Sequence, residues 1–189
     1  MSKHTKKKQR NLYMVGADAP FQFTEAYKSL RTNLEFLSAS GNCKTILITS
    51  SVSEEGKSNV AINLAITLAA SGKRVVLVDC DMRKSTISRY LRIPRSRMGL
   101  TNVITSHEEN ALASALVRMK DTGITVLPAG TIPPNPAELL AAPATEKIFK
   151  ALQNAFDYVI VDTPPVTVVT DAAVLCRVAD GVLLVVRPG

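Results

Sequence analysis

Residues 45–58, TILITSSVSEEGKS, run from a β-branched apolar stretch through a polar loop into a Gly-Lys-Ser triplet that opens a helical pattern. The portion Ser51–Ser58 follows G-x-x-x-x-G-K-[ST] except at its first glycine, where Ser51 stands. A loop placed between a strand and a helix gathers unpaired N–H groups and the positive end of the helix dipole at one point, which favours phosphate. In that frame Lys57 reaches the β- and γ-phosphate oxygens of a nucleotide and the Ser58 hydroxyl sits on Mg2+.

Moving outward, further short apolar runs alternate with helical stretches. After Thr45–Ser50 and a helix from about Lys57 to Ser71 come RVVLVD (74–79), ITVLPAG (124–130), YVIVDTPP (158–165) and GVLLVV (181–186). These runs are continuously apolar rather than alternating, as strands buried on both faces are. Between them, TIPPNPAELLAA (131–142) reads as an extended proline segment with Asn135 at a cap and Pro136 in the first turn of a helix. The succession predicts an α/β fold: a P-loop NTPase-like, doubly wound, mostly parallel sheet with helices on both faces. Two of the strands end in acids, Asp79 and Asp81 after the first and Asp162 after the second. Ligands of open α/β sheets bind outside the carboxyl ends of strands, so the three aspartates can surround a phosphate-bound metal. Mg2+ needs only one or two carboxylates beside Ser58 and phosphate.

Composition narrows the alternatives. The 189 residues suit one domain, and a 46% hydrophobic content suffices for a core. Cys43, Cys80 and Cys176 are far apart and form no C-x-x-C pair, and His4 and His107 are isolated, so a zinc site or a Ser-His-Asp triad lacks its parts. Carboxylates, lysines and backbone amides are left to do the chemistry. Aromatic residues make up 5% with no Trp, against a base-stacking platform. A charge of +7 and a pI near 9.5 suit an anionic lipid surface or an acidic partner, and no helix-turn-helix or RNA-reading motif is visible, so no nucleic-acid partner is expected. No run reaches the length of a membrane span and no apolar segment follows the basic start, which points to the cytoplasm.

The first ten residues, MSKHTKKKQR, hold five Lys or Arg, and residues 1–20 read as a basic flexible arm able to approach anionic lipid. After Pro20, the residues Phe23, Ala26, Tyr27, Leu30, Leu34 and Leu37 recur at three- and four-residue steps, predicting an amphipathic helix over 23–37 capped by Thr24.

The chain resembles the bacterial tyrosine kinases of capsule and exopolysaccharide synthesis, in the form that works with a separate transmembrane activator. The likeness rests on three nucleotide motifs, ITSSVSEEGKS (48–58), VVLVDCDMRKS (75–85) and YVIVDTPP (158–165), with EAYKSLRTNLEF (25–36) and PPNPAELL (133–140) in support. It implies ATP and Mg2+ as cofactors and phosphorylation of protein tyrosines, including self-phosphorylation between subunits of a ring. It further implies a transmembrane activator or polysaccharide co-polymerase as partner and a place at the inner face of the cell membrane. Carried onto this sequence, Ser53, Glu54, Glu55, Gly56, Lys57, Ser58 and Asn59 form the nucleotide loop, and Ser58, Asp81 and Asp162 hold the metal. Lys57, Asp79, Asp81 and Arg83 are the catalytic set. Asp79 orients or deprotonates the attacking tyrosine, although Asp79 and Asp81 could exchange roles. Arg83 either stabilises the transferred phosphoryl or joins the basic run of Lys84, Arg89, Arg92, Arg95 and Arg97. The rival readings are a partitioning or cell-division ATPase switch and a degenerate nucleotide-binding scaffold. Such switches need a second lysine in the loop, and positions 51–56 contain none.

The sequence departs from the family pattern in places. Relatives carry Pro-Gly-Glu-Gly-Lys-Ser where Ser53-Glu54-Glu55-Gly56-Lys57-Ser58 stands here. Glutamate at position 54 brings a Cβ and a charge where glycine would allow a positive φ, so weaker ATP binding is expected. Asn59 replaces a hydroxyl residue. Glu25, Lys28 and Arg31 share one helix face that relatives use between subunits, with Lys28 in place of an arginine. Residues 21–189 read as the kinase domain without the family's C-terminal part and tyrosine-rich tail. Either the chain is shortened or its acceptor tyrosines lie on other proteins.

Overall fold

The computed structural model describes residues 13–16, 18–40 and 43–188, so most of the expected arm lies outside the described residues. Among them the strands β1 (Thr45–Ser50), β2 (Val75–Asp79), β3 (Val117–Arg118), β4 (Thr125–Leu127), β5 (Tyr158–Asp162) and β6 (Gly181–Val185) form one sheet in the order β3-β4-β2-β5-β1-β6. All pairings are parallel except that of β3 with β4. The helices are α1 (Phe21–Ser40), α2 (Lys57–Ala70), α3 (Ile87–Tyr90), α4 (Leu100–Thr105), α5 (Ala111–Ala115), α6 (Pro136–Ala141), α7 (Pro143–Ala155) and α8 (Asp171–Leu175).

Every residue of β1, β2 and β5 is buried, as their continuous apolar runs predict. Alternate side chains supply two cores. Ile46, Ile48, Val75, Leu77 and Ile160 pack with Ile62, Leu64 and Leu68 of α2 and with Leu34 of α1. Leu47, Val76, Val78, Val159 and Val161 pack on the opposite face with Leu100, Phe149, Leu152 and Leu175. At about 1.5–3 kcal/mol for each large apolar side chain fully buried, these layers hold the three central strand tips rigidly in place. The tips carry the acids.

Three expectations need correction. GVLLVV is not covered on both faces: β6 is an edge strand, with Val182 and Leu184 about half exposed while Leu183 and Val185 pack against the core on the α2 side. Thr24 is not the cap of α1, because the helix begins at Phe21 and the Thr24 amide already donates to the Pro20 carbonyl. Leu37 and Ala26 lie on the outer side of that helix, whereas Tyr27 and Leu34 are buried. The two-residue β3 was too short to show as a pattern. Asn135 and Pro136 do stand at the cap and first position of α6.

The start of α4 is pressed against the end of β4. The Leu100 and Thr101 amides donate to the Pro128 and Ala129 carbonyls, and a Cβ on Gly99 would lie 2.2 Å from the Pro128 oxygen. Only glycine fits there.

Candidate active site

β1, paired between β5 and β6, ends at Ser50, and the chain turns through residues 51–56 into α2. The turn uses two left-handed residues, Glu54 at φ 70° and Gly56 at φ 97°. The Glu55 carboxylate staples the loop by accepting from the Val52 amide at 3.0 Å and the Arg187 amide at 3.3 Å. These bonds, Val52's foremost, hold the Glu55 carboxyl below the usual range. The Ser50 hydroxyl donates to the Val52 carbonyl, and the Thr167 hydroxyl donates to the Ser51 carbonyl. Ser53 and Glu54 are exposed. The Glu55 carboxylate is thus taken up by backbone amides, and the Glu54 carboxylate stays in solvent at the loop.

A left-handed conformation costs a non-glycine residue about 1–2 kcal/mol. Glu54→Gly is therefore expected to raise stability by about 1 kcal/mol and to tighten ATP binding several-fold through the removed charge. Thermal melts and nucleotide titration check this; unchanged affinity would count against the charge argument.

The acids come from the neighbouring strand tips. Parallel pairing sets Asp79 of β2 beside Asp162 of β5, which also pairs with Ile48 of β1. The Ser58 hydroxyl donates to Asp162 Oδ2 at 2.6 Å, and Lys57 Nζ stands 3.4 Å from Asp81 Oδ2. Ser85 donates to Asp79 Oδ2 at 2.6 Å, the Asp81 amide donates to Asp79 Oδ1 at 3.2 Å, and the Lys84 amide donates to Asp81 Oδ1 at 3.0 Å. Lys57, Ser58, Asp79, Asp81 and Asp162 therefore lie together at the carboxyl ends of β2 and β5. Asn59 faces elsewhere: its side-chain oxygen accepts from Asn63 and from the Tyr27 hydroxyl. Arg83 turns to Asp171, with 3.4 Å between Nε and Oδ2.

Asp79 and Asp162 are wholly buried. Burial, then the charge of Asp162, pushes the Asp79 carboxyl well above the usual range. Burial raises Asp162 to about 7, against the pull of the Ser58 hydroxyl and Lys57. Asp162 Oδ1 is buried and accepts no hydrogen bond. A buried carboxylate oxygen without a donor, beside a serine hydroxyl and a second acid, fits a hard cation. Among the described residues no three or more His, Cys, Asp or Glu side chains converge on one point, so phosphate and water would have to complete such a shell.

Sequence reasoning passed over Ser85 and Asp171. Ser85 lay within a quoted motif but carried no signal beyond its proximity to Asp81. Asp171 stands before the short apolar run AAVL with no motif around it, and its burial at the start of α8 shows only in the folded chain.

A phosphate loop between a buried inner strand and its helix, faced by acids at neighbouring strand tips, defines a P-loop NTPase-like domain. The family described as AAA domain matches residues 43–189. Tyrosine-protein kinase YwqD of Bacillus subtilis (strain 168) is 40% identical over 166 residues, which cover 88% of this chain and 69% of that protein. The kinase domain of Escherichia coli tyrosine kinase ETK superposes with a TM-score of 0.86 at 30% identity, over 99% of this chain and 74% of that one. The chimerical protein CapA2B2 gives 0.78 at 32% identity, over 85% of this chain and 70% of that one. The chain belongs to the bacterial tyrosine kinases of capsule and exopolysaccharide synthesis, and the partitioning-ATPase alternative is not favoured.

Proposed function

We propose that this chain transfers the γ-phosphoryl group of ATP to tyrosine hydroxyls of proteins, in the control of capsular or exopolysaccharide synthesis and export. The observation that carries the reading is the pairing of the two loop residues with two strand-tip acids, Ser58 with Asp162 at 2.6 Å and Lys57 with Asp81 at 3.4 Å. Phosphoryl transfer asks mainly for positioning and charge neutralisation. Loop amides and Lys57 bind the phosphates, and Lys57 leaves Asp81 for the β- and γ-oxygens. Ser58, Asp81 and Asp162 would hold Mg2+, which when bound neutralises phosphate charge. Asp79 is the acid not engaged by the loop, and in this reading its carboxylate accepts the phenolic proton of the incoming tyrosine. The Ser85 hydroxyl and the Asp81 amide orient it. The test is phosphotyrosine on a co-purified partner with ATP and Mg2+, lost in Lys57→Met; an equal signal from both proteins overturns the reading.

The partners in this reading are a separate transmembrane activator or polysaccharide co-polymerase, tyrosine-bearing substrate proteins and further copies of the chain, with the protein peripheral at the inner face of the membrane. Among the described residues no helix is long and apolar enough to cross a membrane. Contact between copies would use the face of α1 that holds Glu25, Lys28 and Arg31. Lys28 pairs with Glu25 at 2.7 Å, and Arg31 donates to the Thr67 carbonyl of its own chain at 3.4 Å. Arg31→Ala is expected to shift sedimentation from an assembled species to the monomer. A parent that already sediments as a monomer removes the interface.

A further inference from the structure

Asp171 is wholly buried at the first turn of α8, and neither of its carboxylate oxygens accepts a hydrogen bond. An uncompensated buried carboxylate is costly, so whatever pairs with it is held firmly. Its one ion-pair partner among the described residues is Arg83, whose side chain is otherwise 44% exposed. Arg83 is two residues beyond Asp81, on the loop between β2 and α3. Asp171 is also near enough to Cys80 for its charge to act there with those of Asp79, Asp162 and Asp81. The loop is thus fastened at its acids by Ser85 and the Lys84 amide, and from outside, across the chain, by α8.

We infer that the Arg83–Asp171 pair is a clamp that fixes the loop carrying Asp79 and Asp81, and that Asp171 is a positioning residue acting through Arg83 on the metal-binding geometry of Asp81. This rests on the phosphoryl-transfer reading above, and it replaces both roles first considered for Arg83, a phosphate ligand or part of a basic surface, with a contact to α8. The clamp links α8 to the acids of the nucleotide crevice. A shift of α8 would be felt at Asp81 without any contact between α8 and the nucleotide.

The test compares the full chain with Arg83→Met and with the double variant Arg83→Met/Asp171→Leu. Arg83→Met strands a buried charge and is expected to melt early. The double variant removes both charges and keeps apolar volume, so it is expected to melt near the parent. ATP affinity is measured in EDTA and in Mg2+, and amide exchange is followed over residues 80–86. In the double variant the gain in affinity that Mg2+ brings is expected to fall about tenfold, as when a ligand loses its outer support. Affinity in EDTA is expected to stay unchanged, with faster exchange confined to 80–86. A double variant with the full Mg2+ gain and parental exchange overturns the clamp, and so does a parent with no Mg2+ gain. Loss of the gain in the double variant, in a parent that phosphorylates no tyrosine, upholds the clamp while defeating the kinase reading.

Discussion

Lys57→Met is expected to lower tyrosine phosphorylation by about 10²–10³-fold, the scale on which a single preorganised charge or donor acts on a transition state. Lys57 is the first residue of α2, with its side chain 12% exposed and its ammonium 3.4 Å from Asp81. In so sheltered a place a charge interacts more strongly than it does in water. Methionine approximates the reach of lysine and removes only the charge, so the loop amides still bind phosphate while charge developing on the transferred group goes unopposed. Asp81 keeps its bond from the Lys84 amide, and the fold is expected to hold, with a melting temperature near the parent's. Quantitative phosphotyrosine detection on parent and variant, with melts of both, checks the result. Loss of activity together with collapse of the fold would not support the argument, and full activity in a folded variant would end it.

Asp162→Asn is expected to act in opposite directions on function and on stability. In the native chain burial raises the Asp162 carboxyl to about 7, whereas in an unfolded chain it titrates near an ordinary aspartate's ~4. The folded state therefore holds the extra proton. By linkage, the contribution of this site to stability is greatest below pH ~4, falls as pH rises towards about 7 and is level above. Between pH 5.5 and pH 8 the loss amounts to about 2 kcal/mol at ~1.4 kcal/mol per unit. Asparagine keeps an acceptor for the Ser58 hydroxyl and has no charge to bury, so this part of the pH dependence disappears. At pH 8 without nucleotide, where the full loss of about 4 kcal/mol applies, the variant is expected to melt about 8–16 °C above the parent, less whatever the new amide donor costs where Oδ1 had no partner. In the proposed site the same change removes a metal ligand, so Mg2+-dependent ATP binding is expected to weaken at least about tenfold. Melts at the two pH values and nucleotide titrations check both halves. An identical pH slope in the two proteins would show that Asp162 is ionised throughout.

The two results share an origin. In the proposed reading the three acids stand at the strand tips to receive a cation and a polyphosphate, and without those ligands their burial opposes folding. The same conflict explains why Asp79, whose pairing register sets it beside Asp162, is pushed well above the ordinary range.

Much of this was legible in the sequence. TILITS, VVLVD and YVIVD are apolar without alternation because helices cover both faces of those strands, and the Gly-Lys-Ser triplet after the first of them located the phosphate loop. The acids at 79, 81 and 162 were visible because each directly follows or closes a strand. Local composition determines such features, since a strand's burial and a loop's chemistry are written within a few residues. What required the folded chain depends on residues far apart in sequence. GVLLVV has the composition of a covered strand, yet among the described residues it pairs with β1 alone and leaves Val182 and Leu184 half exposed, which only the strand order shows. Glu55 serves its own loop through the Val52 and Arg187 amides, and Asn59 turns to α1. Arg83 could be read from its neighbours only as a phosphate ligand or a surface charge; it became the partner of Asp171, 88 positions away, because α8 buries a carboxylate that its own segment has no means to neutralise.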